Sequence, residues 1–464
     1  MSASVIATSV LLESTDLRRG CSGSSDMVTP TVVSAPRLRV WLHRTTACLL
    51  LSASLGGCGS ARGRHPPPEA IAESVQVVGM PSNVRDWGDR SSAILQQSLL
   101  GAAAQADRAF GMDVPIDGLA ISGGGSYGAF SAGVLCGWTD SGTRPMFGTV
   151  TGVSVGAIIA PFAFLGPEYD ERLEDMAKSA TTDNLYRMRR WTEALTGDSV
   201  ADTAPLRRFV QRYFDKEVLH AIAVEHHKGR RLFIATTNLD ANRPVIWDLG
   251  AVAASGSPQA LDLFRDIIMA SAAVPVLFPP VYIDVECDGI VYDEMHVDGG
   301  VTSQVLLYGS AVSRHDVVRE SSPNAPSATY YVIRNGKFAT DWAPVRPRVL
   351  DIASRSISRI IQAQGVGDLW QVYAACRRDG LEFRLAFIPD EIALPTDPEF
   401  DTGVMADLFE RGRTFAREGY PWRTEPPGLR SNGPYDEARP GPSGSGRGPT
   451  NPLCRAVYQH AGRP

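Results

Sequence analysis

Asp117-Gly118-Leu119-Ala120-Ile121-Ser122-Gly123-Gly124-Gly125-Ser126-Tyr127-Gly128 is the stretch that decides the architecture. Leu119 to Ile121 is a short apolar run with the character of a buried strand. It enters a triple glycine, and Ala129 to Trp138 then reads as a helix. A second unit follows at once. Phe147 to Thr151 has strand character, Gly152 breaks it, and Val155 to Leu165 is apolar enough for a buried helix whose register Pro161 disturbs. Strands and helices that alternate in this way predict an α/β protein and not an all-β or all-α one.

Elements of both kinds continue outward. Leu232 to Thr237 and Val245 to Trp247 read as strands, and Leu261 to Ala273 as a helix closed by Pro275. Tyr330 to Ile333 is a further strand, Val349 to Ala375 is largely helical, Phe383 to Ile388 alternates as a strand, and Val404 to Arg417 is amphipathic. There is no internal repeat. At 464 residues with 44% hydrophobic and 21% charged side chains, the chain can bury a large core. A formal net charge of -6 gives no basic footprint for nucleic acid, so nucleic-acid binding is not expected.

The chemistry concentrates at three points. Gly152-Val153-Ser154-Val155-Gly156 is a GxSxG placed between a strand and a helix, where flanking glycines permit a sharp turn that lifts Ser154 clear of the backbone. The helix that follows points its positive end at the place where an alkoxide or oxyanion develops. Taken alone, a serine in such a turn is equally well a cap. Gly123, Gly125 and Gly128 fit a dinucleotide fingerprint, but the next strand ends in the Ser154 turn and not in the acidic residue that a ribose needs. No Lys-Ser or Lys-Thr follows, which removes a Walker loop. What remains is a tight turn without a ligand, or an oxyanion hole in which amides of Gly123, Gly124, Gly125, Ser126 and Gly128 converge on one small anion. Val297-Asp298-Gly299-Gly300 is the third point, an acid leaving an apolar approach for two glycines.

In this order, triple-glycine loop, GxSxG and Asp-Gly-Gly, the motif set resembles that of the patatin-like phospholipases, over roughly residues 116 to 305. The resemblance implies that Ser154 is the nucleophile, Asp298 its general base and Gly123 to Gly128 the oxyanion loop, with Gly152, Gly156, Gly299 and Gly300 supporting the turns. It implies the family's α/β fold, a central, mostly parallel sheet flanked by helices with a nucleophile elbow, and a lipid acyl ester as substrate, with no cofactor and no metal. Thr236 to Asp240 and Ser271 to Pro275 also look like structural landmarks of the family. Two positions depart from the pattern: Tyr127 stands where Arg or Lys is usual, and Val153 where Thr is common. An acyltransferase or a non-lipid carboxylesterase would use the same dyad, and a non-catalytic envelope binding module is the rival of a different class.

Other residues read as bystanders. His296 lies two positions from Asp298, so on a strand it points the same way at a separate place, awkward for an Asp-His-Ser relay. A core histidine is expected there. Glu225-His226-His227, followed by basic residues, reads as a solvated turn, not a metal site. Trp247, Phe264, Leu277 and Phe278 are candidates to border an acyl pocket.

The ends carry a targeting signal. Arg37, Arg39 and Arg44 precede an apolar run from Ala47 to Leu55, too short to span a membrane, that ends in small residues before Cys58. Leu55-Gly56-Gly57-Cys58 resembles a bacterial lipobox. It makes Cys58 a lipid anchor on a membrane surface and predicts an exported, cell-envelope lipoprotein. Met27 is the expected start. The expected organisation is an extension and signal peptide over 1–57, an extended tether over 58–77, a catalytic domain over 78–425 and a disordered Pro/Gly-rich tail over 426–464. Beyond the anchor, Cys136, Cys287, Cys376 and Cys454 have no CxxC spacing.

Overall fold

A computed structural model describes residues 63–427, apart from 91, 112–116, 191, 194–196, 308–327, 340–343, 393 and 395–399. Cys58, the apolar run before it, Cys454 and nearly all of the expected tail lie outside the described residues.

Among the described residues, ten strands form one sheet. They are β1 (Gln76–Val77), β2 (Arg85–Trp87), β3 (Asp117–Ile121), β4 (Phe147–Gly152), β5 (Arg231–Asn238), β6 (Arg243–Asp248), β7 (Val281–Cys287), β8 (Ile290–Asp298), β9 (Thr329–Arg334) and β10 (Glu382–Phe387). The order is β1-β7-β8-β5-β4-β3-β9-β10, with β6 also on β5 and β2 on β6. The five strands from β5 to β10 across the middle are parallel, and those beyond β5 return antiparallel. The α/β class is as the alternation of elements implies, and the mostly parallel centre is as the family resemblance implies.

Helices cover both faces. Those used below are α1 (Ala93–Phe110), α2 (Gly128–Asp140), α3 (Val155–Leu165), α4 (Lys216–His227), α5 (Ala260–Ser271), α6 (Val349–Asp379) and α7 (Thr402–Arg417). Because alternate residues of a strand point to opposite faces, neighbours in the central strands join different cores. Leu119, Ile121, Leu232 and Ile234 pack with Phe130, Phe162 and Phe264 on one side. Ala120, Phe233 and Ala235 pack with Leu95 and Leu369 on the other. Burial on both faces explains why these strands read as continuous apolar runs. α2 and α7 approach closely because Gly133 and Gly412 lack side chains; a Cβ on Gly133 would collide with the Phe409 carbonyl. Pro161 lies inside α3 without ending it.

Two expectations need correcting. The stretch read as a tether is bound to the domain from Arg64 onward: its guanidinium pairs with Asp240 at 2.6 Å and Asp293 at 2.9 Å, and β1 adds to the edge of β7. The composition of Pro66-Pro67-Pro68 hid this, since the attachment depends on carboxylates far along the chain. Glu225-His226-His227 is likewise not a solvated turn. It ends α4, where His226 is largely buried 3.6 Å from Asp248 and Glu225 accepts from Lys228 and Arg230. Burial lowers the His226 pKa to about 4, so the ring is neutral at pH 7.

Candidate active site

β4 ends at Gly152, paired with Ile234 of β5. The chain then turns through Ser154 into α3. Ser154 has φ 55° and ψ -125°, a conformation that costs a side-chain-bearing residue on the order of 1–3 kcal/mol. The turn is locked by close approach, since a Cβ on Gly152 would meet the Gly156 carbonyl and one on Gly156 the Ile121 carbonyl. The Ser154 amide donates to Ser271 Oγ at 3.0 Å, and that hydroxyl donates to the Ala235 carbonyl at 2.7 Å. Thus α5 and β5 together hold the nucleophile's backbone.

From the opposite direction β8 arrives antiparallel on the same edge of β5, with Asp298 opposite Thr236. Ser154 Oγ donates to Asp298 Oδ2 at 2.6 Å, and the Gly300 amide donates to Oδ1 at 2.7 Å. The Asp298 amide donates to the Ala273 carbonyl at 2.9 Å, and Thr237 Oγ1 donates to the Asp298 carbonyl at 3.1 Å. Both side chains are largely sequestered, with Ser154 9% and Asp298 5% exposed. Burial raises the Asp298 pKa from 3.8 to about 6, against the opposing pull of the hydrogen bonds from Ser154 and Gly300. A carboxylate of that basicity is a better proton acceptor than an exposed aspartate and is still ionised at pH 7.

The glycine loop lies against this pair. The position of a Cβ on Gly123 would be 3.2 Å from Ser154 Cβ. The Gly123 amide itself donates to the Gln304 carbonyl at 3.3 Å. Gly124 and Gly125, at φ 153° and 57°, form the tip, with Gly125 exposed. These φ values exclude ordinary side chains, and a Cβ on Gly124 would strike the Asn335 carbonyl. Asn335 in turn fastens the loop base, its amide donating to Ser122 Oγ and its Nδ2 to the Ser122 carbonyl, each at 2.8 Å. Ser126 is buried in the short turn Gly125–Tyr127, its hydroxyl without a hydrogen-bond partner among the described residues, and Gly128 opens α2 against Val155. Gly299 passes so close to β5 that a Cβ there would meet the Ala235 carbonyl.

His296 is elsewhere. Fully buried, it presents Nε2 to Glu294 at 3.1 Å and Nδ1 to Thr236 Oγ1 at 2.9 Å, and Trp247 Nε1 donates to the same hydroxyl at 2.8 Å. Glu294 also pairs with Arg85. Burial lowers the His296 pKa, so it is neutral. Burial alone would raise Glu294, but Arg85 and His296 hold it at about 2. Every polar group in this chain of contacts has a partner, and none touches Ser154 or Asp298, as a core histidine requires. Trp247 and Phe264 are wholly buried in the core, whereas Leu277 and Phe278 are half-buried in the loop after α5. Ser271 heads the stretch read as a structural landmark, and its contact with the Ser154 amide gives that landmark its role; Gln304 beneath the glycine loop escaped the sequence reading and lies in no recognisable motif.

A serine on a strand-turn-helix elbow, with a buried aspartate as its partner and a glycine loop beside it, defines an α/β protein equipped for acyl transfer. Residues 119–308 match the family model of the patatin-like phospholipases, so the chain carries a patatin-like domain, which supports a lipid acyl hydrolase. No curated protein matches the chain. Among solved structures it is similar to VipD from Legionella pneumophila, at 11% identity over 66% of this chain and 67% of that chain, with a TM-score of 0.31.

Proposed function

We propose that this protein is a serine acyl hydrolase of lipid esters, of the phospholipase A, lysophospholipase or lipid esterase type, working through a Ser154–Asp298 dyad. The observation that carries the reading is the 2.6 Å hydrogen bond from Ser154 Oγ to a buried carboxylate whose pKa is raised to about 6. Ser154 Oγ attacks the ester carbonyl as its proton passes to Asp298 Oδ2. The loop amides of Gly124 and Gly125 hold the oxyanion, each such donor contributing about 2.7–4 kcal/mol in the transition state. Collapse breaks the ester C–O bond, and Asp298 returns the proton to the departing alcohol. Asp298 then takes a proton from water as its oxygen attacks the acyl-enzyme, and returns that proton to Ser154 Oγ as the acyl C–O bond breaks, which frees the acid and restores Ser154.

Hydrolysis of short and long acyl esters by the wild type, Ser154→Ala and Asp298→Asn tests the dyad. Loss of turnover in both variants is expected, and undiminished turnover in either would end the proposal. A fluorophosphonate probe that fails to label Ser154 would favour a binding module instead, and transfer to added alcohol in preference to water would identify an acyltransferase.

The chain is further proposed to be an exported envelope lipoprotein anchored through Cys58. No helix among the described residues is long and apolar enough to cross a membrane. Release of the Cys58→Ser protein from the membrane fraction is expected; unchanged retention would count against the anchor.

A further inference from the structure

Exposed apolar side chains stand on the segments that lead away from the dyad and on the ribbon joined to one of them. Val274 and Val276 lie on the loop that leaves α5, one and three residues beyond Ala273, whose carbonyl accepts the Asp298 amide. Val274 is 36% exposed and Val276 71%. Val276 has φ 71°, a left-handed conformation that is a true outlier for a β-branched residue. Val301, three residues after Asp298, is 42% exposed. Beside this loop runs a two-stranded ribbon, Arg187–Met188 against Ala201–Asp202. The Val200 and Ala201 amides donate to the Val276 and Leu277 carbonyls, each at 2.9 Å. Ala201 is opposite Met188, so loop and ribbon are joined edge to edge, and Met188 stands 64% exposed at the outer margin.

Arginines gather at this apolar rim, with Asp198 and Asp202 as their carboxylate neighbours on the ribbon. Met188 sits within Arg187-Met188-Arg189-Arg190. Arg189 is paired with Asp198, but Arg187 and Arg190 are exposed, with no carboxylate within ion-pair distance among the described residues. The whole chain has a net charge of -6, so the local cations do not follow from composition. Exposed apolar side chains backed by arginines match a surface that offers hydrocarbon below a layer of negative headgroups.

We propose that Met188, Val274, Val276 and Val301, with Arg187 and Arg190, form an interfacial rim that seats the active-site mouth on an anionic lipid surface. The substrate is then drawn from an aggregate, not from solution. This rests on the lipid-ester reading above and extends it to the physical state of the substrate.

The test separates docking from chemistry. The full-length chain carrying Ser154→Ala and Cys58→Ala can neither hydrolyse lipid nor be held by an acyl anchor. Its flotation is measured with vesicles of phosphatidylcholine alone and of phosphatidylcholine with phosphatidylglycerol. Binding to the anionic vesicles and at least about tenfold weaker binding to the neutral ones is expected. In that background Met188→Glu, Val276→Gly and the double change Arg187→Glu/Arg190→Glu should each weaken binding to anionic vesicles by about tenfold or more, with Met188→Leu retaining it. Val276→Gly relaxes a positive φ, so its loss of binding cannot be assigned to misfolding. Equal binding to both vesicle types, no binding to either, or undiminished binding by the three weakened variants would overturn the proposal. Fluorophosphonate labelling of Ser154 in the otherwise unaltered chain is read separately: labelling without vesicle docking refutes the rim and leaves the hydrolase intact.

Discussion

Ser154 and Asp298 meet because two strands that run in opposite directions share one edge of β5 end to end. Gly152 closes β4 opposite Ile234, and Asp298 closes β8 opposite Thr236, two positions further on. The nucleophile rises where β4 stops, and the carboxylate occupies the place β4 would have continued into. Their 2.6 Å contact is thus a product of sheet register, not of a flexible loop.

The pH dependence follows from the Asp298 environment. The base must be ionised, and its pKa is about 6. On an uncharged soluble ester, kcat/KM should fall about tenfold per pH unit well below 6 and level off above it. A profile flat down to pH 4 would show that Asp298 is not the base.

The same residue should cost the fold stability. A pKa raised from 3.8 to about 6 means that the folded protein holds a proton the unfolded chain has lost between those values. The favourable contribution is present below pH 4 and disappears as pH rises through 6. Asp298→Asn removes the buried charge, can still accept from Gly300 and can donate to Ser154. It should be inactive yet more stable at pH 8, by on the order of 1–3 kcal/mol in denaturant unfolding, with the gain fading below pH 4. A clear loss of stability at pH 8 would contradict the burial argument.

His296 should behave as a structural residue. Its replacement by Leu leaves Thr236 and Glu294 each short of a partner within the core, which costs about 2–4 kcal/mol. Activity per folded molecule, scored by fluorophosphonate labelling, should change little. A loss beyond about a hundredfold with stability intact would restore His296 as a base.

What the sequence disclosed was local. A glycine run after a strand, a serine between glycines and an aspartate before Gly299-Gly300 are short-range signals, because tight backbone geometry restricts which residues can stand there. Periodicity placed the central strands and α6, which is helical through Asp379 as its composition suggests. The hairpin of β7 and β8 went unread although Val281, Ile283 and Val285 alternate inward, and nothing local says that its end returns to the edge vacated by β4. The docking of Arg64 on Asp240 and Asp293 and the support of Ser154 by Ser271 share that character. Each joins residues far apart in the chain, and even at Ser271, which heads a stretch read as a landmark, nothing in the neighbouring residues names the partner.

Ser271 provides a direct measure of such support. Ser271→Ala leaves the Ser154 amide and the Ala235 carbonyl without their buried partner, at about 1–3 kcal/mol in stability. Because the strained Ser154 backbone also loses its tether, kcat should drop by about ten- to a hundredfold, with KM nearly unchanged. Wild-type kcat in Ser271→Ala would mean that the turn needs no such tether.

Asp368 extends the support beyond the segment that matches the family model. It lies on α6, and its Oδ2 accepts from the Gln304 amide at 2.5 Å, the Val305 amide at 3.3 Å and Ser303 Oγ at 3.4 Å. Gln304 faces both halves of the site. Its carbonyl accepts from Gly123, and its Nε2 donates to the Gly300 carbonyl at 3.1 Å, next to the amide that binds Asp298. One carboxylate therefore fixes the spacing between the oxyanion loop and the turn that carries the base, and Asp368 is a positioning residue. Asp368→Ala should lower kcat about ten- to a hundredfold, since misplacement by about an ångström is enough for that, while KM for a soluble ester stays within about threefold. Asp368→Asn keeps an acceptor oxygen for the Gln304 amide and should recover most of the rate. If the alanine variant loses only stability, with its folded fraction labelled by fluorophosphonate at the wild-type rate, or if asparagine rescues nothing, then α6 serves packing alone and the site is complete within residues 119–308.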